Sequence, residues 1–203
     1  IEALLGESDS HDSESFAAIQ ADTVSLAAEY LLPRLIALVS PGSEAAQDAL
    51  IRLAAWDHVM AAERAEPLIY MAWLREMMRV LFADELGATF RDYFSIRENA
   101  IFDALKPGAT WCDDTATAAE EDCAAAAGTA LDRALDYLAQ RYGDNMDSWA
   151  WGEAHYAHSG HEVLGRIPLI GKLFEVRLAN GGARNTVNAA GFTVRDDEKP
   201  FVQ

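Results

Sequence analysis

His155, His158 and His161, with Glu153 and Glu162 beside them, form the densest group of potential ligands in the chain. Three imidazoles make a zinc set on paper. The spacing argues against it, because helical ligands must face one another at three or four residues, and Gly160 interrupts a helix before the third histidine. The zincin arrangement needs His-Glu-x-x-His, whereas His161-Glu162 is followed by Val163, Leu164 and Gly165. The plainer reading is a histidine-rich loop at a helix-to-strand junction, its ring nitrogens bonded to backbone. No metal-ligating and no cofactor-binding residue is assigned. A metal-dependent hydrolase using the three histidines stands as the lesser alternative.

A serine nucleophile needs a base and donors aimed at the developing oxyanion. Ser25, Ser148 and Ser159 lack the Gly-x-Ser-x-Gly context. Asn185 and Thr186 can donate hydrogen bonds but alone specify no site. Asp57 and His58 are adjacent; neighbours on a helix point about 100° apart, so they do not face each other. They read as a helix-terminal aspartate and a surface histidine. No glycine-rich phosphate loop opens a helix, and Gly181-Gly182 is too short a signal. No catalytic residue is therefore assigned. Cys112 and Cys123 are separated by a polar, acidic stretch with no further thiolate or imidazole partner. A zinc site would need two more ligands nearby. Two readings remain, a local disulfide or two independent buried thiols.

The elements that must position these residues are mostly helical. The 203 residues allow one large domain or one and a half, and a hydrophobic share of 51% is enough for a substantial core. A net charge of −17 argues against a nucleic-acid backbone or an anionic lipid surface as partner, since both call for an excess of Lys and Arg. No apolar run is long enough to span a bilayer, and no signal peptide is visible. Ile1 to Gly6 read as the end of a helix, which suggests an internal piece of a longer chain.

After a polar stretch at 7–15, ending with Ser13 or Ser15 as a helix cap, one helix is expected from Phe16 to Leu31, ended or kinked by Pro33. Pro41-Gly42-Ser43 reads as a turn with Ser43 capping the next helix, which carries Leu50, Leu53 and Trp56 on one face. The centre of the chain is the helix expected over 67–86. Pro67 and Glu66 suit its first turn. Tyr70, Leu74, Met77 and Leu81 form one apolar line and Ile69, Trp73 and Met77 a second, so it should be buried on more than one side, with Arg75 and Arg79 on the wetter side. Gly87 supplies a left-handed C-cap. Asp84 and Glu85 sit at the wrong end for the helix dipole. A shorter helix or two should follow before Lys106-Pro107-Gly108. A long helix then carries Leu131, Leu135, Leu138 and Tyr142 in a stripe that Gly143 closes. From Trp149 the helical period fades. Phe174–Leu178 and Thr186–Val194 read as short strands, with a turn at Asn180-Gly-Gly182. The expected fold class is mainly α: a helical, bundle-like domain of about five to seven helices over 1–148, then a loop-rich segment with short strands over 149–203.

Several stretches carry a family resemblance in order along the chain: Ile19-Gln-x-Asp-x-x-Ser25, Trp56-Asp57, Ala65-Glu-Pro-Leu-Ile-Tyr70, Ala72-Trp-Leu74, Trp111-Cys-Asp-Asp114, Trp149-Ala-Trp-Gly-Glu-Ala-His155 and Thr186-Val-Asn-Ala-Ala-Gly191. Together they resemble the β-chain of penicillin acylases (penicillin amidases). These are N-terminal-nucleophile amidohydrolases that include acyl-homoserine-lactone and cephalosporin acylases. The resemblance implies that the chain matches the middle, mainly helical part of that β-chain, and that its strands belong to a larger α+β sheet. In the family the nucleophile is the N-terminal serine of the mature β-chain. The family's oxyanion asparagine and an adjacent arginine fall upstream of the matched stretch, and a His-Gly strand falls downstream. None of the catalytic residues, and none that bind the structural calcium often found in the family, has a counterpart here.

The resemblance further implies an N-acyl amide substrate, such as a penicillin or an acyl-homoserine-lactone side chain. The partner would be the remainder of an α/β heterodimer, and the location periplasmic or secreted. It also favours the Cys112–Cys123 bridge. The expected role is scaffold and part of the substrate-cleft wall, inactive alone. A stand-alone helical binding module is the other alternative.

Overall fold

The computed structural model describes residues 1–160 and 175–189. The chain is mainly helical, with one two-stranded sheet among the described residues. It divides into two compact units, one drawn from residues 27–57 and 65–149, the other from residues 1–26, 58–64 and 150–203.

The first unit is organised around α5 (Ala65–Leu86) and α8 (Cys123–Tyr142), the most extensively packed helix pair. Every residue of α5 from Pro67 to Met78 is buried, as two adjoining apolar lines require. The facing side of α8 carries Ala126, Ala127, Ala130 and Ala134 between its leucines, and these small residues let the two backbones approach. Trp73 fills that contact and donates its Nε1–H to the Ala127 carbonyl at 3.1 Å. Leu131, Leu135 and Leu138 are buried, Tyr142 is half-buried, and Gly143 closes the helix at φ +86°. α4 (Glu44–Ala55) is capped by Ser43, whose side-chain oxygen accepts from the Ala46 N–H, and Trp56 lies buried just past its end. Gly87 takes the expected left-handed conformation, φ +51°. The short helices α6 (Phe90–Tyr93) and α7 (Glu98–Ala104) follow it. Cys112 and Cys123 are bridged, their sulfurs 1.96 Å apart.

One expectation changes here, and two others are sharpened. Arg75 is buried, not on a wet face; its guanidinium lies 4.1 Å from the centre of the Tyr137 ring and 3.5 Å from Glu76. Aromatic stacking and an adjacent carboxylate offset the desolvation that the sequence pattern treats as prohibitive. Desolvation nonetheless lowers the arginine's pKa, opposed by the Glu76 charge. Pro33 does not end its helix: α3 (Leu26–Leu38) runs through it. Pro33 and Glu29, whose carbonyl loses its helical partner, are both exposed, so water can take the place of that bond. Asp84, at the unfavourable end of α5, accepts hydrogen bonds from the Thr115 N–H and Oγ1–H at 2.8 and 2.9 Å, which answers its placement.

In the second unit, α1 (Glu2–Leu5) and α2 (Ser13–Gln20) precede an irregular stretch. The helix expected to run from Phe16 to Leu31 is thus two helices. Between them Asp22 Oδ1 accepts from the Val24 N–H, and the backbone of residues 23–25 pairs antiparallel with 58–60: Ser25 N–H to His58 O at 2.9 Å and Met60 N–H to Thr23 O at 3.0 Å. That pairing outcompetes continued helix. The cap of α2 is Asp12, whose carboxylate accepts from the Glu14 and Ser15 N–H groups while Ser15 Oγ accepts from the Asp12 N–H; Ser15 is the third residue of a capping box rather than the cap. α9 (Trp151–Ala154) leads into β1 (Tyr156–Gly160), which pairs antiparallel with β2 (Glu175–Ala179), Tyr156 opposite Ala179 and His158 opposite Arg177. The strand expected from Phe174 is present from Glu175; Phe174 itself lies outside the described residues. β1 replaces the expected histidine-rich loop. Thr186–Asn188 are bends and not strand, and residues 190–194 lie outside the described residues.

Candidate functional site

The spine of the second unit is the 58–64 segment, and it positions most of the residues singled out above. Gly182 N–H donates to Met60 O at 2.8 Å, Gly152 N–H to Ala62 O at 2.6 Å, and Trp151 N–H to Arg64 O at 2.8 Å. His58 adopts φ +62°, the non-glycine exception to negative φ among the described residues, and its carbonyl takes the Ser25 N–H. It is half-buried, and its backbone geometry turns the chain at the end of the Val24–Val59 pairing.

The histidines do not converge. His155 is buried; its ring stacks on that of Trp151 with centroids 4.7 Å apart and an interplanar angle of 9°, and its Nδ1–H donates to the Asn180 carbonyl at 2.7 Å. A carbonyl can only accept, so that bond fixes the proton on Nδ1. His158 lies on β1, and His161 and Glu162 lie outside the described residues. Among the described residues no three His, Cys, Asp or Glu side chains come together as a metal cage. Trp151 Nε1–H donates to Gly182 O at 3.0 Å, so Trp151 and His155 both tie the chain to residues 180–182. The turn expected at Asn180-Gly-Gly182 falls at residues 184–185 instead.

The serines and the amide-bearing loop also have structural employment. Ser25 is buried beside the Val24–Val59 pairing. Ser148 Oγ–H donates to Asn145 O at 2.7 Å. The side chain of Ser159 lies outside the described set. Thr186 Oγ accepts from the Ala183 N–H at 2.9 Å and lies 2.7 Å from Asn188 O, drawing residues 183–188 into a closed loop. No sequence signal had marked Thr186 as the organiser of this loop. Beside the loop lies a cavity of about 450 Å³, walled by Leu4, Val24, Leu26 and Val187, with Asp22 and Arg184 among its polar groups. Such a space can shelter an apolar group of several carbons. Asn185 and Thr186, the residues noted above as possible hydrogen-bond donors, are among its walls.

A family profile described as penicillin amidase matches residues 1–202. The acyl-homoserine lactone acylase QuiP of Pseudomonas aeruginosa is 30% identical over 177 residues, covering 76% of this chain and 21% of that protein. QuiP of Pseudomonas fluorescens is 28% identical over 230 residues, 96% of this chain and 26% of that protein. The chain therefore spans about a fifth to a quarter of the curated relatives it matches. Among solved structures, a thermostable penicillin G acylase from Alcaligenes faecalis superposes with a TM-score of 0.53 at 19% identity, over 73% of this chain and 32% of that one, a likeness of fold.

Proposed function

The chain belongs to the penicillin amidase family, and from that premise we propose that it is a scaffold segment of an amidohydrolase that cleaves a linear N-acyl amide bond. The observation that carries the proposal is the family match over residues 1–202. The relatives named as acyl-homoserine lactone acylases support an acyl-homoserine lactone or a comparable acyl amide as the substrate class. The segment's own contribution is mechanical. The α5–α8 pair gives a rigid block, and the loop closed by Thr186 walls an apolar cleft that serves as part of the substrate-cleft wall.

The remaining partner is the rest of the parent enzyme, an α/β heterodimer in this reading. It supplies the nucleophile, the proton shuttle to the leaving amine and the oxyanion donors that amide hydrolysis requires. A periplasmic or secreted location is part of the proposal. The Cys112–Cys123 bridge is supported by oxidising compartments, and among the described residues no helix is long and apolar enough to cross a membrane.

The test is to assay the 203-residue chain and the complete parent on chromogenic phenylacetyl and longer-chain acyl amides. The isolated chain should give no turnover while the parent hydrolyses at least one of them. Turnover by the isolated chain that chelator or His155→Ala abolishes would replace this reading with the histidine-metal one.

A further inference from the structure

The cavity beside the loop closed by Thr186 lies within one unit, between α1, residues 22–26 and residues 184–187. Its frame is fixed by backbone. The Asn188 N–H donates to the Asp22 carbonyl at 2.8 Å, which sets the loop against residue 22. The Val24 N–H donates to Asp22 Oδ1 at 3.2 Å, which orients that side chain. A space of about 450 Å³ is within the range of small-molecule sites. Leu4, Val24 and Val187 are half-buried along it, and Leu26 is 64% exposed at its edge. An aliphatic side chain so open to water gains from any apolar chain laid against it.

The polar part of the lining is Asp22, Arg184, Asn185 and Thr186. Thr186 Oγ is already engaged inside the loop, with the Ala183 N–H and the Asn188 carbonyl. Arg184 and Asn185 are exposed, and among the described residues neither side chain has a hydrogen-bond or ion-pair partner. The chain carries 33 acidic residues, yet among the described ones none pairs with this guanidinium. The lining therefore offers one carboxylate acceptor and two side chains that donate. A free carboxylate in the cavity would meet Asp22 as a like charge. A secondary amide is the better complement. Its carbonyl oxygen takes donors from Arg184 and Asn185, and its N–H donates to Asp22.

We propose that the cavity holds an N-acyl amide, with the acyl chain against Leu4, Val24, Leu26 and Val187 and the amide between Asp22 and the Arg184–Asn185 pair. These residues then set the preference for acyl length. The chemical class rests on the amidohydrolase reading above; the place and the polar contacts rest on the cavity. Arg184 and Asn185 are binding residues here and take no part in bond cleavage.

Calorimetric titration of the 203-residue chain with N-butanoyl-, N-hexanoyl- and N-octanoyl-homoserine lactones tests the assignment. Each added methylene should tighten binding about threefold. Arg184→Ala should weaken the octanoyl compound about tenfold and leave the gain per methylene unchanged, whereas Leu26→Ser should reduce that gain. The N-methylated octanoyl amide, which has no N–H for Asp22, should bind about tenfold more weakly than its parent compound. Absence of binding, affinity indifferent to chain length, octanoate binding more tightly than the octanoyl amide, or Arg184→Ala binding like the unsubstituted chain overturns the proposal. Hydrolysis by the complete enzyme is assayed separately. Hydrolysis there without binding here overturns the cavity assignment alone, and binding here without hydrolysis there overturns the amidohydrolase reading alone.

Discussion

The unit of residues 27–57 and 65–149 is held by an apolar side-chain core, whereas in the described part of the unit of residues 1–26, 58–64 and 150–203 hydrogen bonds to the backbone join the distant stretches. In the first, Trp73, Leu74 and Met77 of α5 and Leu131 and Leu138 of α8 are completely buried, and the apolar contact is continuous. In the second, four stretches distant in sequence meet through main-chain bonds: Asn188 to Asp22, Ser25 to His58, Gly182 to Met60, Gly152 to Ala62. The difference decides what each unit tolerates. A side-chain core fails when volume is removed. A backbone junction fails when volume is added, because the closest approaches leave no room for a Cβ.

The largest expected effect tests the first half of that contrast. Trp73→Ala removes a fully buried indole and its bond to Ala127 O, and should lower stability by about 3–5 kcal/mol in denaturant unfolding. A loss under about 1 kcal/mol, the range of ordinary surface changes, would show that the α5–α8 contact is not the core. The next probes the junction. Gly182 has φ +77°, and a Cβ there would fall 2.3 Å from the Asn188 carbonyl oxygen. Gly182→Ala should cost about 2–3 kcal/mol and raise exchange at the Asn188 amide, although it deletes no contact. A silent Gly182→Ala would mean that backbone approach does not hold the second unit. The smallest is local to one helix end: Ser43→Ala leaves the Ala46 N–H without its cap and should cost about 1 kcal/mol, read as a shift of the unfolding midpoint at unchanged slope. It should not alter exchange at Asn188, which belongs to the other unit.

The same contrast marks where the sequence was readable. The two lines of apolar residues on α5, the leucine stripe of α8, the Ser43 cap and the left-handed Gly87 are all local patterns of period or position, and each is found as expected. The junction was not readable in this way. Thr23, Val24 and Ser25 sit in a stretch with helical periodicity, and only the partner strand at 58–60 pulls them out of helix. His155 read as one of a possible ligand trio; only the stacked Trp151 and the Asn180 carbonyl show that it is a buried fastening.

The sequence by itself determined the mainly helical character, the central helix, the acidic surface and, through motifs in order, the penicillin amidase family. These depend on composition or on neighbours within a few positions along the chain, so they are written where they act. Only the tertiary structure decided that Arg75 is buried on Tyr137, that Thr186 closes a loop, and that Asp84 reaches Thr115. Each of those depends on a group far away in sequence whose desolvation or hydrogen bonding changes the balance, and no periodicity encodes a partner at that distance.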